Sequence, residues 1–365
     1  MPETLAGETL TAASGAVVPH LRQAWERLAF DTGSIFATPA WAETWWRHLG
    51  PSGEMPLPVA VRDTQASLVA LVPLYAWRRH PVRVVRLIGH GPGDLLGPIR
   101  ASGQTTSAAV LMRLALDMVG WDVFIGDMLH GGVAWDRAFD IEEARPTGSP
   151  VIAIEGQGWD DILAGMSSNA RQQVRRRERN LHRTFEVTFR LADDAACLER
   201  DLETLFELHR VRWGGRASDF AGKDAPFHRA FARVALERGW LRLWFLELDG
   251  VPVAVWHGFR FAGIESYYQA GWDPAFARHS VSGVLLAHTI RAAAEDGMSE
   301  YRMLQGDESY KYRYATDDEG LVSLVAGNGR NGAAVAAVGL GVRRYARTAR
   351  TGAKRVRSPR RERSS

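Results

Sequence analysis

Leu241-Arg-Leu-Trp-Phe-Leu-Glu-Leu248, Asp249-Gly250, Val251-Pro-Val-Ala-Val-Trp-His-Gly-Phe259 reads as a β-hairpin. Aromatic and branched residues fill both arms, and a two-residue Asp-Gly turn joins them. A second turn at Ala262-Gly263 leads into Ile264-Glu-Ser-Tyr-Tyr-Gln-Ala-Gly-Trp272, a third strand that stops at Asp273-Pro274. Next comes Arg278-His-Ser-Val-Ser-Gly283. Val281, Leu285 and Thr289 then recur at helical spacing until Gly297 stops the helix. Glu300 to Leu304 returns as a strand. The order is strand, strand, strand, helix, strand. The unpaired amides of the helix's first turn, at the positive end of its dipole, make a place where a pyrophosphate can sit.

Just past the last strand, Gln305-Gly-Asp-Glu-Ser-Tyr-Lys-Tyr-Arg-Tyr314 gathers two acids, three tyrosines and a lysine. This ending resembles the Gly-Asp-Glu-x-Tyr-Lys signature of the CelD/BcsL-like branch of the GNAT superfamily, matched by Gly306, Asp307, Glu308, Tyr310 and Lys311. Ser168-Asn-Ala-Arg171, Arg175-Arg176, Leu208 to Trp213 and Phe227-His228 are similar to the same branch's upstream signature. The resemblance covers Ser167 to Tyr314. It implies acetyl-CoA or another acyl-CoA as co-substrate, held by Arg278, Ser280, Val281, Ser282 and Gly283. The family's pyrophosphate loop has the form Arg/Gln-x-x-Gly-x-Gly/Ala, so Val281 stands where the first glycine belongs. A branched side chain there predicts an altered donor geometry.

The first half carries a similar inventory. Leu57 to Val61, Leu68 to Tyr75 and Val82 to Ile88 read as strands, Gly89 to Asp94 as a loop, Ala108 to Val119 as a helix and Val123 to Ile125 as a strand. Two α/β units are expected rather than one enlarged sheet, although no sequence repeat is evident. The fold class is therefore α/β (α+β), and the resemblance implies two GNAT-like units in tandem, each a mixed central sheet flanked by helices, as in FemABX-type transferases. Pro146 to Pro150 marks the boundary, giving residues 1–150, 151–326 and a basic tail, 327–365. Trp41 and Trp45, four apart, would share a helix face and belong to the core.

For chemistry, Asp307 is the candidate base, with a turn-capping role as its bland alternative. Tyr310 is a candidate acid for a departing thiolate. Tyr267 and Tyr268 point to opposite faces of a regular strand, so one of them, taken as Tyr268, would face the cleft. His209 and Arg212, three apart on a helix, would line the acceptor side, and Lys311 would bind a phosphate or carboxylate. His257, inside a strand, reads as a core histidine. Arg171, Arg175 and Arg179 form a stripe that either guides an anion or is a solvated face.

With 365 residues, 46% hydrophobic and 24% charged, the chain can bury a sizeable core. One cysteine, Cys197, excludes an internal disulfide. The histidines show no zinc-binding spacing, so no metal is expected. The start has no basic segment followed by an apolar one, and the run Gly332 to Val342 is too short to cross a bilayer of about 30 Å as a helix. A cytoplasmic enzyme is expected. Arg343 to Ser365 holds ten Lys or Arg and one acid. That segment is either a solubilising tail or a docking segment for nucleic acid or for anionic lipid at the inner face of the membrane.

The leading expectation is an acyl-CoA-dependent N-acetyltransferase acting by direct transfer to a small-molecule or saccharide amine or hydroxyl. One rival is a FemABX-like aminoacyl-tRNA-dependent transferase, in which the arginine stripe and basic tail would contact tRNA phosphates. The other is a noncatalytic accessory protein of exopolysaccharide or cellulose synthesis, a pathway that the resemblance suggests.

Overall fold

The structure is a computed structural model that describes residues 11–14, 19–79, 82–214, 218–329, 332–333 and 335. The basic segment Arg343 to Ser365 lies outside the described residues.

The hairpins form where the turns demand them. Strands Leu241–Leu248, Val251–Phe261 and Ile264–Trp272 run as an antiparallel meander. Asp249 and Gly250 both adopt positive φ, as does the Ala262-Gly263 pair. That backbone matches the twist of the flanking strands.

In chain order the described elements begin with β1 (Thr11–Ser14), α1 (Pro19–Thr32), α2 (Pro39–Leu49), β2 (Pro56–Arg62), β3 (Leu68–Arg79), β4 (Val82–Leu87) and β5 (Ile99–Arg100). There follow α3 (Ala108–Val119), β6 (Val123–His130), β7 (Ile141–Thr147), β8 (Val151–Ala153), α4 (Trp159–Gly165) and α5 (Ser168–His182). Next come β9 (Val187–Leu191), α6 (Leu198–Arg212), α7 (Ala225–Glu237) and the meander, which is β10, β11 and β12. The chain ends with α8 (Val281–Glu295), β13 (Glu300–Arg302) and β14 (Leu321–Gly327).

Two mixed sheets result. The first has the order β1-β2-β3-β4-β6-β14-β7, with β5 added beside β3; the second has the order β9-β10-β11-β12-β13-β8. Each contains the same run: three antiparallel strands, a helix, and a strand parallel to the third. In the first sheet the run is β2-β3-β4-α3-β6, and in the second β10-β11-β12-α8-β13. The units also exchange edges. β14, from the C-terminal end, pairs with β6 and β7 of the first sheet. β7 ends at Thr147 in the first sheet and β8 begins at Val151 in the second, so the Pro146–Pro150 punctuation coincides with the crossing.

α2 fastens the units together. Thr38 caps it through Trp41 N, and Pro39 takes its first position. Trp41 is fully buried and meets Phe227 and Phe231 of α7 edge-on, with ring centroids 4.9 and 4.7 Å apart. The expected core role of Trp41 and Trp45 holds, and the core they enter belongs to both units. The other face of the second sheet packs on α4, α5 and α8 around Trp256, Tyr301 and Ile290.

Candidate active site

Strand pairing opens the site. β12 pairs with β13 only through Ile264–Ser266 and Glu300–Arg302, yet β12 runs on to Trp272 while the chain after Arg302 leaves the sheet. The edge of β12 beyond Ser266 is therefore free of strand partners, just outside the C-terminal ends of two parallel strands, where α/β sheets commonly bind ligands. Two clefts flank this gap. One, of about 590 Å³, lies between α5 and the start of α8; the other, of about 570 Å³, lies between α6, α7 and the 88–96 loop of the first unit. Arg212 and Tyr310 line both.

The first cleft holds most of the residues assigned to the donor. Ser280, Ser282 and Gly283 line it. Ser280 adopts the left-handed conformation that turns the chain into α8. Val281 does not line it: its side chain is fully buried in the core of the second unit. The valine thus leaves the loop's outer surface clear, and the altered donor geometry predicted from it does not follow from its packing. A side chain placed on Gly283 would meet only Arg177 Nη1, at 3.7 Å. Room for a pyrophosphate remains beside that guanidinium. Arg278 lies just before the loop, where its Nε donates to His279 Nε2 at 2.9 Å, and it is not part of the cleft wall.

The arginines that face this cleft are not those of the predicted stripe. Arg175 pairs with Asp160 at 3.0 Å, and Arg175 and Arg179 are exposed. Arg177, on the neighbouring face of α5, lines the cleft together with Arg313. Neither has a carboxylate partner among the described residues. These two guanidiniums, with the N-terminus of α8, give this cleft positive charge that can attract an anion, while Glu178 on the same wall is paired with Arg291.

Arg212 reaches the junction because α6 touches β12. A Cβ on Gly271 would collide with the backbone nitrogen of His209, so only glycine lets the helix approach this closely. His209 Nδ1 and Arg212 Nη1 both donate to the Ala270 carbonyl, at 3.1 and 3.3 Å. The shared face predicted for the pair is real, but only Arg212 reaches the clefts. His209 is buried against Phe220, and burial pushes its pKa below the usual histidine range.

The tyrosines pack to opposite sides of β12, as alternation predicts, at an irregular point in the strand. β12 carries a bulge: His257 faces Gln269 and Gly258 faces Tyr267, leaving Tyr268 as the extra residue. Tyr267 packs in the second unit's core and Tyr268 in the shared one, yet both contribute to the wall of the second cleft. Tyr268 donates its hydroxyl to the Pro92 carbonyl at 2.8 Å, which makes it a brace between the units. Tyr310 sits between the clefts, its hydroxyl 3.5 Å from that of Tyr267. Burial first, then the neighbouring Tyr267, raises the Tyr310 pKa far above the usual tyrosine value, so it stays protonated.

Asp307 is used elsewhere. Its carboxylate accepts from Gly148 N at 2.6 Å, at the crossing between the sheets, and it lines neither cleft. It ties this loop to the crossing rather than capping the segment that follows Gly306, whose N-cap position is Tyr310. Lys311 is buried, and its Nζ donates to the carbonyls of Leu304 and Gln305 and lies 3.4 Å from Glu308 Oε2. Burial lowers its pKa, and Glu308 opposes that shift.

Asp94 is the carboxylate that faces the second cleft from the first unit. It is buried and accepts from Gln305 N at 3.0 Å, next to the Lys311 charge. Burial pushes its pKa up to about 6, only partly offset by that hydrogen bond and by Lys311. The sequence read this position as part of a loop. Its glycines and proline predict a turn, but not that the turn projects into the neighbouring unit. His228 also lines the cleft, its pKa driven well down by burial and then by His257 and His209. His257 is fully buried with neither ring nitrogen bonded. Among the described residues no group of His, Cys, Asp or Glu is placed to hold a metal ion, and no helix is long and apolar enough to cross a membrane.

Comparison with known proteins agrees with this geometry. Residues 168–312 match the family model described as an acetyltransferase (GNAT) domain. The fold is similar to that of FemX, with a TM-score of 0.61 at 10% identity over 87% of this chain and 98% of that one. It is also similar to the C-terminal domain of a putative lysylphosphatidylglycerol synthetase from Agrobacterium fabrum, with a TM-score of 0.53 at 10% identity over 86% and 93% of the two chains. No curated protein matches the chain by sequence. Residues 168–312 thus match a GNAT acetyltransferase domain model, and they lie in the second of two mixed α/β units that share a strand order.

Proposed function

We propose that the protein is an acyl-CoA-dependent acyltransferase that moves an acetyl or other short acyl group directly onto an amine. The observation that carries this reading is the meeting of two clefts at Arg212 and Tyr310, one of them built on the N-terminus of α8. Arg177, Arg313 and the Ser280–Gly283 turn would hold the donor's phosphates. The acyl group would then lie at the free edge of β12, whose amides can donate to a carbonyl oxygen as charge develops on it.

On the acceptor side, Asp94 takes the amine proton. Its pKa of about 6 leaves it ionised at neutral pH while keeping it more basic than an exposed aspartate. His228, driven further down, is the weaker base. Tyr310, held protonated, donates a hydrogen bond that steadies the departing thiolate, which takes its proton from solvent while the proton that Asp94 took from the amine returns to solvent. Arg212 faces both clefts and can steady charge that develops between them. Asp307 supports the loop, and Lys311 fixes the strand end that presents Gln305 to Asp94.

An aminoacyl-tRNA-dependent transferase is the second reading, and the whole-chain likeness to FemX is what favours it. Incubation with labelled acetyl-CoA and a panel of amines, with and without ribonuclease, separates the two. The proposal expects ribonuclease-insensitive transfer, with kcat/KM rising through about pH 6 and this limb lost in Asp94→Asn. Transfer that requires charged tRNA would overturn it. The exopolysaccharide association suggested by the CelD/BcsL-like resemblance is kept as a proposed setting. Growth and polymer assays on a deletion strain would test it.

A further inference from the structure

The repeated strand order implies an equivalent position in the first unit, beyond the ends of parallel strands β4 and β6. A cavity of about 320 Å³ lies there, at the lower end of the range of small-molecule sites. Ala108, the first residue of α3, is on its wall, so the positive end of that helix is at the cavity. Phe36, Leu87, Leu96, Ile99 and Trp135 give it an apolar body.

Two basic side chains line it without protein partners. Arg100 makes no ion pair among the described residues, and the ring of His130 makes no hydrogen bond among them. His130 is kept neutral: burial first, then the guanidiniums of Arg302 and Arg100, push its pKa down to about 4. The one acid on the wall, Glu319, lies against Gly132, and the imidazole of His130 can donate as well as accept. The chemistry offered is one uncompensated cation and a helix N-terminus beside an apolar chamber.

We propose that this cavity binds a small monocarboxylate with an apolar tail of about eight carbons, its carboxylate at Arg100 and its tail among Phe36, Leu96 and Trp135. The site has a consequence for the other unit. His90, Pro92 and Asp94 line the acceptor cleft, while Leu95, Leu96 and Gly97 of the same loop line this cavity. An occupant therefore bears on the segment that carries Asp94.

The test is a calorimetric titration of the full chain with octanoate, with octylamine as the probe of opposite charge. Saturable octanoate binding is expected, with no binding of octylamine. Arg100→Gln should weaken octanoate about tenfold with an unchanged melting temperature. Val133→Trp, which fills the cavity from its wall, should abolish binding. No saturable octanoate binding by the wild-type chain, equal binding of octylamine, or an Arg100→Gln affinity equal to that of the wild type would overturn the proposal. Each of these results is independent of whether acetyl-CoA binds the second unit.

Discussion

The two units share one run of strands and helix and part ways at the end of the parallel pair. In the second unit the gap beyond β12 and β13 is open and carries two large clefts. In the first, the chain after β4 turns back into the gap: Leu96 N bonds Met128 O, and β5 joins β3. The first unit is left with a smaller chamber. The loop that narrows it lends Asp94, Pro92 and His90 to the neighbour's cleft. One strand order thus frames two open clefts in one unit and a smaller chamber in the other, whose loop forms part of its neighbour's cleft wall.

If α2 is what makes the pair a single body, Trp41→Ala should break it. The expected loss is about 3–5 kcal/mol in denaturant unfolding, with a second transition as the units separate. A loss near 1 kcal/mol would mean that the shared core is not the fastener.

The loop carrying Asp94 can be probed by pH. A carboxyl whose folded pKa is raised, here from 3.8 to about 6, stabilises the fold fully below its unfolded pKa. That contribution is lost as pH rises through about 6. Asp94→Asn should therefore gain on the wild type between pH 4 and pH 8, by up to about 3 kcal/mol. Equal stability differences at both pH values would show that the carboxylate is not buried in the neighbour's cleft.

Asp307→Ala sharpens the distinction between loop support and chemistry. Losing the bond to Gly148 N should cost about 1–2 kcal/mol in melting experiments, and kcat should change by less than about threefold. A fall of 100-fold or more would return Asp307 to the chemistry.

The second unit was the more legible half. Its hairpins are punctuated by Asp-Gly and Ala-Gly, and its helix by serines and Gly297, all local signals. β13 stops at Arg302 rather than at Leu304 because the chain departs where the site opens, which the branched pattern does not record. β14 was not read at all, since its partners lie in the other unit. Of the cleft-lining residues, Ser280, Ser282, Gly283, Tyr310 and Arg212 were singled out through motif and helical spacing. Arg177 was hidden beside a more regular stripe. Asp94 was hidden because it is buried by a distant segment, and that Tyr267 would line the cleft beside Tyr268 was hidden by a bulge that the alternating pattern does not record.

The most direct test of the central claim is calorimetric titration with acetyl-CoA of the wild-type chain and Arg177→Ala. One site per chain is predicted, weakened about tenfold in the variant because one charge-assisted phosphate contact is gone. No saturable heat with the wild-type chain, or an affinity that Arg177→Ala leaves unchanged, would contradict a donor site at the start of α8.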